Sequence, residues 1–133
     1  MYEFHGWATV RDSAGSDDLN PDPAPSTVDK VQELAREANG PNHVVDARYA
    51  NGEFHVWMAG SHNHTDQRVL QSFERIAKLA PGSYGVLYVL DDEHPTQANT
   101  WTRFVMRRGS VTMEIDESLS PHIGVVEDDT NGP

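Results

Sequence analysis

A chain of 133 residues with no cysteine and a formal net charge of −11 is one domain that buries its core without disulfides and does no thiolate chemistry. So acidic a balance repels nucleic acid and anionic lipid and suits a basic partner. Met1-Tyr2-Glu3-Phe4-His5 shows no leader pattern, and no stretch nears the length of a membrane span, so the expected location is the cytoplasm.

Tyr2 to Val10 alternates, with Phe4, Ala8 and Val10 on one side and His5, Trp7 and Thr9 on the other, which predicts a first strand. Residues 12–25 are small, acidic and broken by proline, the composition of a surface loop. Ser26-Thr27-Val28-Asp29 has capping-box spacing and opens a helix whose apolar stripe is Val28, Val31, Leu34, Ala35 and Ala38. Asn39-Gly40-Pro41 ends it. Val44–Tyr49 and Glu53–Ala59 flank Ala50-Asn51-Gly52, a strong hairpin signal. A polar stretch from Gly60 to Thr65 leads to a second helix, with Asn63 or Thr65 as its N-cap and Val69, Leu70, Phe73, Ile76, Ala77 and Ala80 buried.

Ala80-Pro81-Gly82-Ser83 then turns into Tyr84–Leu90, which is apolar on both alternations and stopped by Asp91-Asp92-Glu93. That pattern marks a strand inside a sheet. Trp101–Arg107, Arg108-Gly109-Ser110 and Val111–Ile115 form a last hairpin, and the irregular segment from Leu119 ends in charge. The order predicts an α+β fold: an antiparallel sheet of about six strands with two helices on one face, a ferredoxin-like βαββαβ core plus a C-terminal hairpin. The first strand lies between 53–59 and 84–90. Residues 1–126 make a single domain, and 127–133 form an acidic tail expected to fray.

Strand alternation has a consequence for the surface. With Phe4, Val10, Phe54, Val56, Met58, Phe104 and Met106 under the helices, the opposite face carries His5, Trp7, His55, Trp57, Trp101 and Arg103, with Tyr88 among them. Three uses compete for this aromatic face. The segment Leu119–Val126 folds back over it, or it binds a protein or a second copy, or it stacks nucleobases. The acidic net charge and the lack of basic residues near the patch argue against the last.

Catalytic constellations are weak. His62 and His64, with Asp91, Asp92, Glu93 and His94, are of metal-ligating type, and a small metal-dependent hydrolase is the alternative reading. No His-Glu-x-x-His motif supports it, so no metal and no cofactor are expected. Ser83 with His94 and Asp91 lacks the Gly-x-Ser-x-Gly context and reads as a turn serine. Asp91-Asp92-Glu93 has a structural reading as well: it ends its strand and holds the Arg107-Arg108 turn or a backbone cap.

Glu3-Phe4-His5-Gly6-Trp7-Ala8-Thr9 resembles the opening of the Immunity protein 7 family of bacterial polymorphic toxin systems. Asn51-Gly52, Asn63-His64, Ala80–Gly85 with Leu87-Tyr88, Asp91-Asp92-Glu93, Arg108-Gly109, Leu119-Ser120-Pro121 and Glu127-Asp128 continue the likeness in order. The chain departs from it at Thr65, where a basic residue is more usual, and at His122-Ile123-Gly124, in place of Cys-Ile-Pro. The resemblance implies a non-catalytic protein that binds and neutralises the C-terminal domain of a secreted toxin, a basic partner of which a nuclease is one example. It transfers no contact residues. From charge and exposure, the toxin-binding set is Asp91, Asp92, Glu93, His94, Glu127, Asp128, Trp7, Trp57 and Trp101.

Overall fold

The computed structural model describes residues 1–13 and 22–122. In chain order the elements are β1 (Tyr2–Thr9), α1 (Pro25–Ala38), β2 (His43–Ala50), β3 (Glu53–His62), α2 (Gln67–Leu79), β4 (Tyr84–Asp91), β5 (Thr102–Arg107) and β6 (Ser110–Ile115). The strands form one sheet in the order β2-β3-β1-β4-β5-β6, antiparallel at every pairing. This is the expected topology. β1 lies between β3 and β4, and the last hairpin makes β4 an inner strand.

Both hairpins close on two residues in the left-handed region, Asn51 and Gly52 (φ 51° and 83°) and Arg108 and Gly109 (φ 52° and 78°). Paired positive φ values match the twist of the flanking strands. The second turn is tighter than its sequence suggests, because Ser110 already pairs with Arg107. Gly85 serves a different need. A Cβ there would overlap the Trp7 carbonyl oxygen and Ala8, so only glycine lets β4 approach β1 this closely.

The core lies between one sheet face and the helices. Val31, Leu34 and Ala35 of α1 and Val69, Phe73, Ile76 and Ala77 of α2 pack on Phe4, Ala8, Phe54, Val56, Met58, Leu87 and Met106. α1 lies against β2, whereas α2 reaches β4, β5 and β6. The expected helix starts need correction. α1 begins at Pro25, with Ala24 as N-cap and no side-chain capping bond, so the Ser26 capping box does not form. Proline suits the first helical position because it has no N–H to leave unpaired, and the Asp12 carboxylate accepts from Ala24 N–H at 2.7 Å. For α2 the N-cap is Asp66, not Asn63 or Thr65, accepting from Arg68 N–H at 3.0 Å.

Candidate functional site

On the helix-free face, cross-strand register builds rows. Asp46 lies opposite Trp57, Trp57 opposite Trp7, Trp7 opposite Val86, Val86 opposite Val105, and Val105 opposite Thr112. One line of side chains thus crosses all six strands, with two tryptophans at its centre. Trp7 and Trp57 are 40% and 39% exposed, unusually open for so large an apolar group. Tyr84 meets Trp7 edge-on at 6.0 Å, and His55 lies 5.1 Å from Trp57, its Nδ1 3.0 Å from Thr9 Oγ1. A shallow depression beside the pair is lined by His5, Val44, Val86 and Tyr88.

Trp101 is on the same face, its ring 6.0 Å from that of His5, but it is covered. It lies one residue ahead of β5 and is only 7% exposed. Its indole N–H donates to His122 Nδ1 at 3.2 Å, its main-chain N–H donates to Ser120 Oγ at 2.8 Å, and its carbonyl accepts from Asp116 N–H. The segment after β6 therefore folds back, but among the described residues it seals Trp101 and leaves Trp7 and Trp57 open. Ile123 to Val126 lie outside the described residues, as do Glu127 and Asp128.

The expected lack of basic residues around the patch also needs correction. Arg48, Arg103 and Arg107 stand on the same face by register, and Arg11 lies over the Tyr84 ring. Three of them are ion-paired: Arg48 with Asp46 at 2.6 Å, Arg103 with Glu114 and Asp116, and Arg11 with Glu53. These pairs leave a charge-balanced rim around an apolar centre, the anatomy of a protein-binding surface.

The acidic loop follows its structural reading. The Asp91 carboxylate accepts from Thr65 Oγ1 at 2.8 and 2.9 Å and from Glu93 N–H at 3.0 Å. Glu93 accepts from Thr65 N–H at 2.9 Å and contacts His64 Nδ1 at 3.1 Å, and these two bonds hold its carboxyl below the usual range. Asp92 pairs with the N-terminal ammonium, and His94 Nδ1 accepts from Thr96 and Gln97 N–H. The expected tie to Arg107-Arg108 is absent because Arg107 pairs with Tyr84, at the opposite end of β4 from Asp91. The same separation divides Ser83 from Asp91 and His94. Ser83 is buried, its Oγ accepting from Arg11 N–H at 3.1 Å.

His62 and His64 part company. β3 continues through His62 and aims it to the core side, beside His43 and Asp66, while His64 turns to Glu93. His43 and Asp66 were not singled out from the sequence, although a signal existed. The Asn51-Gly52 turn fixes His43 opposite Gly60, which makes His62 its diagonal neighbour on the same face.

No curated protein and no solved structure gives a significant match. The family model for Immunity protein 7 matches residues 1–128, nearly the whole chain. On that match, supported by the α+β architecture, the protein belongs to the Immunity protein 7 family.

Proposed function

We propose that this protein neutralises a cognate secreted toxin in the cytoplasm by binding and occluding it, without catalysing a reaction. Membership of an immunity family implies a toxin partner, and such proteins are typically non-enzymatic inhibitors. The observation that carries the reading is the open Trp7–Trp57 pair at the centre of the helix-free face. Large aromatics in the middle of a patch, ringed by polar pairs, supply most of the affinity of a typical interface. The acidic loop contributes at longer range. Tyr2 pairs with Asp91 and lies five residues from Trp7 along β1, about 17 Å at strand rise. One interface of ordinary size spans both. There, Asp92, Glu93 and His94 face a basic toxin domain, and the negative net charge, to which Glu127 and Asp128 add, steers its approach.

The test is a binding titration against the toxin domain encoded beside this chain. Trp7→Ala and Trp57→Ala are each expected to weaken binding about 30-fold or more, a loss of about 2 kcal/mol. Unchanged affinity in both variants would move the interface elsewhere.

A further inference from the structure

The geometry points to a divalent transition-metal site, of zinc type, formed by His43, His62 and Asp66 where the β2–β3 hairpin meets the start of α2. Each residue comes from a different element: His43 opens β2, His62 closes β3 and Asp66 caps α2. One donor atom from each lies within 4.8 Å of the other two. Tetrahedral zinc with bonds near 2.0–2.1 Å places neighbouring ligands about 3.3 Å apart. His62 meets its two neighbours through different ring nitrogens, Nδ1 lying 3.0 Å from His43 Nε2 and Nε2 lying 3.7 Å from Asp66 Oδ2. One ion takes a single nitrogen of His62, so binding requires the imidazoles to turn until one donor from each residue converges.

Two further features favour a cation. His43 Nδ1 lies 3.2 Å from the Ala38 carbonyl, which fixes the proton on that nitrogen and leaves Nε2 as the acceptor facing His62 Nδ1. A backbone carbonyl behind the ring is the usual support for a metal-binding histidine. His62 then gives its Nδ1 proton to His43, and its Nε2 is buried with no hydrogen-bond partner, facing a carboxylate oxygen. Acceptor thus faces acceptor, a costly arrangement in a half-buried site. A bound cation removes that conflict. The nitrogen–nitrogen–oxygen donor set selects borderline metals such as Zn²⁺ over Ca²⁺ or Mg²⁺.

Access and competition are both visible. The three residues line a groove that also exposes Gln71, Ser72 and Arg75, leaving a coordination position open to solvent or a further ligand. Arg68 holds the Asp66 carboxylate through Nε and Nη2, but its own side chain is exposed and free to swing away. An ion there ties the hairpin end to α2. The site is unlike the catalytic arrangement of His62, His64 and the acidic loop weighed from the sequence, and it replaces the expectation that no metal binds.

The test uses the full chain without a histidine tag. Calorimetric titration with ZnCl₂ is expected to give one ion per chain, and Co²⁺ substitution should give the visible bands of tetrahedral nitrogen–oxygen ligation. His43→Gln and His62→Gln should each weaken Zn²⁺ binding at least tenfold, whereas His64→Gln, whose ring turns to Glu93, should leave it unchanged. Zinc at 100 times its Kd should also raise the Tm of the wild type, as any native-state ligand must. Failure of His62→Gln to fold is covered by His43→Gln and by the wild-type Co²⁺ spectrum. Absence of stoichiometric binding, or binding that survives both glutamine variants, overturns the site. So does stabilisation that depends on pH alone and ignores the metal, because a proton would then be what fills the gap.

Discussion

Replacing Trp101 by alanine separates the two kinds of tryptophan in this chain. A tryptophan buries about 150–250 Å², and Trp101 is all but enclosed, whereas Trp7 keeps 40% of its surface open. At roughly 25 cal/mol per Å², its burial is worth about 4–6 kcal/mol. Large-to-alanine changes in closed sites cost roughly 3–5 kcal/mol. The lost indole–His122 bond lies within that range, at about 1 kcal/mol of it. For a domain of this size, Trp101→Ala should therefore lower Tm by roughly 10–20 °C. Trp7→Ala and Trp57→Ala should cost about half as much, because their outer faces already meet water and no closed cavity forms. The assay is urea denaturation followed by far-UV circular dichroism, which does not depend on the tryptophan being replaced. Toxin affinity of the folded fraction should follow the opposite order, lost with Trp7 or Trp57 and retained with Trp101. A Trp101→Ala loss below about 1 kcal/mol would mean that residues 119–122 do not seal the indole. Equal effects of all three on binding would restore a single three-tryptophan surface.

Asp92→Lys reverses a charge whose side chain holds only the chain terminus, so it should slow toxin association severalfold at low salt and flatten its salt dependence in stopped-flow measurements; an unchanged rate removes the acidic loop from the encounter. Arg108→Asn puts a residue that tolerates positive φ at the first turn position and should stabilise the protein by about 0.5–1 kcal/mol in urea titrations. Burial first, and then the Asp91 and Asp66 carboxylates, push the Tyr2 phenol up to about 12 from 10.0. Folding thus favours its neutral form, and the stability this brings is complete below pH 10 and lost as pH rises toward 12. Tyr2→Phe should abolish that alkaline slope in Tm while leaving other ionisations in place.

The fold was legible because it rests on period and turn chemistry, which are local. Alternation in β1 and β3 set their inward faces, and Asn51-Gly52 set a register that the structure keeps residue for residue. Errors arose where a partner far along the chain decides the outcome. Ser26 has cap spacing, but Pro25 takes the first helical position and Asp12, from the preceding loop, meets Ala24. Trp101 continues the alternation of β5 and meets His5, yet Ser120 and His122, beyond the last strand, cover it. His62 and His64 look like a pair two residues apart. Alternation nevertheless sends them different ways, and Asp66 joins His62 only because it caps a helix that starts later than Asn63 and Thr65 suggest.

The Asp46–Trp57–Trp7–Val86–Val105–Thr112 line carries one last implication. Its members project from the pleat away from the helices, so their identity is largely decoupled from the interlocking that holds α1 and α2 in place. Exchanges along this line leave the core packing in place, whereas Gly85, wedged beneath the Trp7 carbonyl, admits no such freedom. Trp7, free to vary, and Gly85, fixed by its backbone neighbour, thus sit side by side on adjacent strands.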